Sequence, residues 1–225
     1  MAGSRRPKRP GRFRRAVPPA QSPRGGRFVV RSRRFHQLAD GALGQLPAGG
    51  RARLPSEAEW EKAARGGLEI PEAPVVGAVR GQPSAGASLH RLNDPPAALP
   101  LRPNPNPRRR WSWKADRPEP DWANYDDAHI ESTSAVGCFP KGASPYGCEE
   151  LAGNVWEWCA TKWQDNYRDY QDDHSLEGDD RRVVRGGAFP NLEWYVRCAC
   201  RYRLYPHDFL RRSGFRVVVP ISSEL

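Results

Sequence analysis

The chain has no run of apolar residues long enough to cross a bilayer, which takes about 20 in succession. Its arginine-rich start lacks the apolar stretch and small-residue cleavage site of a secretory leader. Cysteine is scarce and odd in number: Cys138, Cys148, Cys159, Cys198 and Cys200. An odd set without secretory context predicts reduced thiols in a cytoplasmic protein rather than a disulfide framework, with packing as small hydrophobes their ordinary role. The five histidines are scattered without metal-ligand spacing. No Ser/His/Asp arrangement and no His/carboxylate cluster can be assembled, and there is no internal repeat. These absences argue against a membrane span, a hydrolytic triad and a histidine-rich metal centre.

Proline (23) and glycine (21) are abundant instead, so much of the backbone must lie in turns, and long helices cannot dominate. Eight tryptophans and 38% hydrophobic residues argue for a packed domain rather than wholesale disorder. The formal net charge of +10 suggests a polyanion partner. However, roughly the first fifty residues alone carry about +12, and the remainder is close to neutral. Any nucleic-acid contact would therefore rest on the basic tail and not on the folded domain.

Residues 1–52 read as an Arg/Pro/Gly-rich, disordered tail, because so little apolar surface cannot offset the entropy of ordering them. Order starts at Arg53-Leu54-Pro55-Ser56. Ser56 is placed to cap a helix, with Glu59 completing a capping box and Gly66-Gly67 ending it. Trp60, Ala63 and Ala64 share one face of that helix. Residues 68–110 are Pro- and Ala-rich and read as a long insertion, with Arg108–Arg110 as a solvated run. From Trp111 onward short strands and turns are expected. Trp156 and Trp158 alternate with Val155 and Glu157, Arg182–Arg185 forms a second strand, and Tyr195–Arg201 and Phe215–Val219 form two more. The stretch from Trp163 to Asp180 reads as an acidic surface loop.

Six segments stand in a fixed order: RLPSEAEWEKAARGG (Arg53–Gly67), ANYDD (Ala123–Asp127), TSAVGCFP (Thr133–Pro140), SPYGCEELAGNVWEW (Ser144–Trp158), RVVRGGAF (Arg182–Phe189) and RCACR with GFRVV (Arg197–Val218). Together they resemble the formylglycine-generating enzyme, or sulfatase-modifying factor, family. The resemblance covers roughly residues 53–220 of a domain taken as 53–225, and implies a loop-rich α+β fold related to C-type lectins, with short antiparallel strands and few short helices. The family has further ordered chain before the capped helix where this sequence is Arg-rich, which implies a missing or rearranged part of the core.

The resemblance also implies where chemistry would sit, and where it is absent. The copper-dependent oxidases of the family carry two cysteines, four residues apart, between the glycine pair and the RCA-type strand. Here Ala188–Val196 contains none, and Ala188 stands in place of a serine. Monovalent copper requires thiolate ligands, which Asn191, Glu193 and Trp194 cannot supply. No copper is expected. Cys198 and Cys200, at i and i+2 on an expected strand, admit either core packing or a metal-binding pair with His207. An iron-dependent sulfoxide synthase would need ligands from another domain.

Calcium is implied as a structural cofactor, since hard oxygens in irregular loops suit it. Carried onto this chain, one site comprises Glu150, the carbonyls of Gly153 and Val155, and Glu157. A second comprises Asn124, the Tyr125 carbonyl, Asp127 or its neighbour, and a carbonyl near Ile130. The alternative is that Glu157 pairs with an arginine such as Arg185. In the last segment Trp194, Tyr202, Leu204, Tyr205, His207, Phe209, Leu210, Arg212 and Ser213 form an aromatic and aliphatic loop where polar residues are expected. They are candidates for binding a protein or small ligand. Some lectin-like members of the family are variable proteins of diversity-generating retroelements, rewritten in this region with the GFR strand fixed. The alternative is packing on the domain surface. The expected function is thus a noncatalytic binding module, a pseudoenzyme of the family. A family oxidoreductase is the competing reading, with formylglycine generation or a related metal-dependent oxidation as its reaction.

Overall fold

The computed structural model describes residues 53–72, 100–114, 117–208 and 210–218. The expected tail, most of the insertion and Phe209 lie outside the described residues. Ser56 caps helix α1 (Glu57–Arg65) by accepting the Glu59 amide at 3.1 Å. Glu59 reaches back to the Ser56 amide at 2.7 Å, and Gly66 closes the helix in a left-handed conformation. Arg53 grips the Glu59 carboxylate with two bonds of 2.6 and 2.7 Å, which with the cap holds that acid at about 2. Two strands follow, β1 (Glu69–Pro71) and β2 (Leu101–Pro103), paired antiparallel across the insertion.

Four strands make the main sheet in the order β5-β4-β3-β6. They are β3 (Trp156–Lys162), β4 (Arg182–Arg185), β5 (Arg201–Leu204) and β6 (Ser213–Gly214). Strand β6 runs parallel to β3, whereas the other pairs are antiparallel, and β3 carries a register shift between Trp158 and Lys162. An isolated bridge joins Arg53 to Val218, with bonds of 3.0 and 2.8 Å. The stretch 163–180 is largely exposed, as expected of an acidic loop.

Alternation in β3 suggested one apolar and one acidic face, yet both faces are buried. Trp156, Trp158 and Ala160 pack with Leu54, Val184 and Leu204. Glu157 and Cys159 face α1, where Trp60, Ala64, Leu151, Val183 and Cys198 form a second cluster. A third cluster gathers Trp111, Trp113, Ala123, Tyr125, Ala152 and Val196.

The helix is fastened to the sheet through buried charge. Arg185 is fully buried and donates to Glu57 at 2.6 Å, to Glu61 at 2.8 Å and to the Cys198 carbonyl. Arg201 forks onto Glu57 with bonds of 2.6 and 2.8 Å. It also lies over the rings of Trp163 and Tyr167, 4.4 Å from each centroid. Thr161 accepts the Glu57 amide, an otherwise orphaned donor of the first helical turn. Burial works against the Arg185 charge, but Glu61 and Glu57 more than offset it and raise its pKa.

Three expectations are corrected here. The strand expected over 195–201 is a 3-10 turn at Glu193–Tyr195 and a tight turn, because local and cross-chain bonds take its amides. Cys198 N–H donates to the Arg110 carbonyl at 2.6 Å and Cys200 N–H to the Arg197 carbonyl at 2.9 Å. Of the strand expected over 215–219, the described residues 215–218 show only the single Val218 bridge, and the strand lies just before them at Ser213–Gly214. Arg109 is buried rather than solvated: it donates to Asn104 Oδ1 at 2.9 Å and to two backbone carbonyls, and desolvation lowers its pKa. Asn104 in turn caps the end of α1 by donating to the Arg65 carbonyl at 3.2 Å, and it holds the Gly67 carbonyl beyond it at 2.7 Å.

Removing one member of a buried ion network leaves the others uncompensated. Arg185→Met should therefore lose about 3–5 kcal/mol in urea unfolding at pH 7. Adding Glu61→Gln should restore part of that loss, because Glu61 loses Arg185 whereas Glu57 keeps Arg201. A loss under about 1 kcal/mol would reject the network as the helix anchor.

Candidate functional site

The turn before β3 gathers the residues with implied metal roles. It is built from left-handed conformations, with φ of 58° at Glu150, 79° at Gly153 and 61° at Asn154. Gly153 is required by space as well as conformation, since a Cβ there would stand 2.1 Å from the Asn124 carbonyl oxygen. This contact sets the Asn124 segment beside the turn as an isolated parallel bridge, with Asn154 N–H donating to the Asn124 carbonyl at 2.7 Å. Asn154 also clamps Ser134, accepting its amide at 3.0 Å and donating to its carbonyl at 3.2 Å.

Glu157 is engaged on both oxygens. Arg216 of the GFR segment forks onto it at 2.5 and 2.7 Å, and Trp60 Nε1 donates to Oε2 at 2.6 Å. Arg216, and not Arg185, is its counter-charge. A cation cannot share this carboxylate without facing Arg216 at close range.

Glu150 is different. It is buried, and neither oxygen has a hydrogen-bond partner of normal geometry. Burial raises its pKa; the Gly137 and Phe139 amides and Arg216 offset this in part, while the Glu157 charge adds to it. Asn124 is also buried: its Nδ2 donates to Ser132 O at 2.9 Å and Ser134 Oγ at 3.2 Å, but Oδ1 has no partner. The Tyr125 carbonyl accepts the Ala128 amide at 2.9 Å. Burial raises the Tyr125 phenol pKa, reinforced by the charge of Asp127 and a hydrogen bond to it. Asp127 itself is exposed.

The loop that would carry catalytic thiols is closed by its own backbone bonds. Asn191 Oδ1 accepts the Ala188 amide at 2.9 Å, and Asn191 N–H returns to the Ala188 carbonyl at 2.8 Å. The Asn191 carbonyl holds the Asp126 amide at 3.0 Å, tying this loop to the Asn124 segment. All five cysteines are free thiols. Cys198 is buried and pushed up to about 12, and burial also raises Cys200. Neither is a ready thiolate. Since they lie in a turn, the i, i+2 geometry of a strand does not apply. Among the described residues no three His, Cys, Asp or Glu side chains form a metal-binding group.

Beside that loop lies a continuous aromatic face. Trp194, Tyr195 and Tyr202 are 46%, 40% and 48% exposed, while Trp156 forms a buried floor between them. Trp156 meets Tyr195 edge-on at 6.3 Å and Tyr202 tilted at 5.7 Å, and Trp194 lies 6.1 Å from Tyr195. Of the residues singled out in sequence, Trp194 and Tyr202 belong to this face. Tyr205 and His207 are exposed and stack on each other at 5.3 Å, with Arg181 over Tyr205. Leu204 turns into the core, Leu210 packs half-buried against it, and Ser213 is spent in β6 and in a 2.9 Å bond to the Leu210 carbonyl. The Arg212 side chain is exposed while its carbonyl accepts Trp156 N–H at 2.9 Å. Tyr195 and Trp156 were not singled out in sequence, because both were assigned to strands.

A capped helix over a small bulged sheet, with most of the chain in turns, defines a loop-rich α+β fold of the C-type-lectin-like kind. The chain belongs to the family of the sulfatase-modifying factor enzyme 1-like domain, whose model matches residues 32–221. It is 32% identical over 174 residues to a formylglycine-generating enzyme of Thermomonospora curvata, covering 73% of this chain and 48% of that protein. The chain thus spans about half the length of that curated relative. Among solved structures it is similar to PvdO from Pseudomonas aeruginosa, with a TM-score of 0.51 and 23% identity over 83% of this chain and 57% of that one. Treponema denticola variable protein 1 gives a TM-score of 0.49 and 26% identity over 75% and 47% of the two chains.

The Glu150 carboxyl has a raised pKa in the folded state, so folding favours its protonated form. Its ionisation therefore lowers stability as pH rises from the ordinary carboxylate value through the raised one. In calcium-free buffer at pH 7, Glu150→Gln should raise the melting temperature. It should also flatten the stability profile over that interval. An unchanged profile would refute the orphaned carboxylate.

Proposed function

We propose that this chain is a noncatalytic, lectin-like recognition domain of its family, binding a protein or small ligand on the Trp194–Tyr195–Trp156–Tyr202 face. The observation that carries this reading is the contiguous exposed aromatic surface beside a loop without thiols. Rigid aromatic side chains supply large contact area at little entropic cost, and such anchors dominate binding energies. The exposed Tyr205 and His207 follow β5 and supply a polar margin. A diversified loop over Tyr202–Ser213 is consistent with this exposure, and variation confined to those positions among strain variants would establish it. Copper-dependent oxidation is the competing activity. In a selection from a display library of peptides and glycans, Trp194→Ala and Tyr202→Ala should each weaken the ligands recovered tenfold or more. Melting temperatures should hold. Stoichiometric copper together with oxygen-dependent oxidation of a peptide thiol would overturn the proposal.

Calcium is part of the same reading. The unpartnered oxygens of Glu150 and Asn124 support it, with the Gly153, Val155 and Tyr125 carbonyls as neutral ligands and Asp127 at the margin. Glu157, held by Arg216 and Trp60, would instead shape the turn. Hard oxygen donors in an irregular loop suit calcium, which takes six to eight. A ligand that binds only the folded state stabilises it by about 2.7 kcal/mol at a hundredfold excess over Kd. A chelator should therefore lower the melting temperature, and Glu150→Gln should erase the calcium-dependent difference. No shift on chelation would exclude an occupied site.

A further inference from the structure

The main sheet has two faces, and the aromatic strip occupies only one of them. Successive β5 residues point to opposite faces, so Tyr202 meets Trp156 while Arg201 meets Glu57 of α1. On this second side the stretch after β3 returns toward the helix and leaves a groove of about 470 Å³. One wall is Ala58, Lys62 and Arg65, which share a face of α1 at i, i+4 and i+7. The other is Tyr167 and Tyr170, whose rings lie 5.4 Å apart in a wedge of 57°. Arg201 lies on the Tyr167 ring, yet that residue is still 56% exposed. The volume is that of a small-molecule site, and the tyrosines give it aromatic area.

The groove keeps a positive excess after its neighbouring acids are counted. Glu57 and Glu61 line it with Lys62 and Arg65, so the lining alone is balanced. Beneath it Arg185 and Arg201 add two cations, each already bonded to those carboxylates. Asp172, held by His174 at 2.6 Å, stands at the Tyr170 hydroxyl and removes one charge. Asp169 lines a different hollow with Lys162. The acids beside Lys62 on the helix are also taken, Glu59 by Arg53 and Glu61 by Arg65 and Arg185. Lys62 is exposed, and no acid of α1 is left to pair with it. A cationic ligand would find no free carboxylate here, whereas an anionic one meets Lys62 and the further donors of Arg65.

We propose that this groove binds a planar aromatic acid. Its ring would lie against Ala58 and the Tyr167–Tyr170 pair, and its carboxylate would meet Lys62 and Arg65. The site lies on the other side of the sheet from the Trp194–Tyr202 face and does not depend on the recognition reading.

The test titrates the full chain with benzoate, 4-hydroxybenzoate and indole-3-acetate, each beside its neutral amide, and follows the ligand by NMR. Indole-3-acetate should bind with a Kd of about 1 mM, as its size allows. Its amide should bind about tenfold more weakly, because it forfeits a charge-assisted contact. Tryptamine, with the same ring and the opposite charge, should not bind. Lys62→Ala should bring the acid down to the level of the amide and leave the amide unchanged, at an unaltered melting temperature. Tyr170→Ala should weaken acid and amide alike. Failure of all three acids to bind, equal affinity of acid and amide, or a preference for tryptamine overturns the proposal. Loss of binding in Trp194→Ala would place the probes on the aromatic face, which overturns it too and leaves the recognition reading intact.

Discussion

Fixing α1 to the sheet falls to two arginine–glutamate assemblies, and the rest of the domain depends on them. Arg185 reaches up from β4 to Glu57 and Glu61, and Arg216 reaches across from the last segment to Glu157. Trp60 joins the two: its ring lies 5.1 Å below the Arg185 guanidinium, and its indole N–H completes the Glu157 carboxylate. A nine-residue helix cannot stand alone in water, so its existence rests on these contacts and on Trp60 burial. The same bonds hold the turn before β3, because Arg216 also donates to the Glu149 carbonyl at 3.1 Å.

Buried charge is an expensive fastening, and a hydrophobic one of equal volume is often as stable. What it supplies here is direction. Each guanidinium has donors at fixed angles, and Arg185 uses them on two carboxylates and a backbone carbonyl. The Cys198 turn is thereby set against the sheet and the start of β5 is fixed. The aromatic face inherits its geometry from this, since Tyr202 follows Arg201 on that strand and Tyr195 precedes the turn.

Local chemistry was legible in the sequence. Ser56 and Glu59 announced the capping box, Gly66 the helix stop, and the six ordered segments the family and its α+β, lectin-like fold. What escaped were choices among distant partners. Nothing local distinguishes Arg185 from Arg216 as the counter-ion of Glu157, because each sits in a short apolar stretch, RVVR and GFRVV. Arg109 read as solvated because its partners, Asn104 and the Ser112 carbonyl, are uncharged and carry no pattern. The 195–201 segment alternates like a strand, but its amides are claimed by Arg110 and by the segment itself. Trp194 and Tyr202 were identified singly; that Tyr195 and Trp156 join them is a fact of packing across strands.

The Arg53–Val218 bridge has a consequence for how such a unit is carried. Arg53 and Val218, near the two ends of the described part, sit side by side as a single hydrogen-bonded pair. A module with that layout can be set into a surface loop of a larger polypeptide without stretching its host, and the host's mobility would reach only the rim. Strands β6 and β3, lying parallel just inward, would shield the turn at Glu150 from any pull on the two connections.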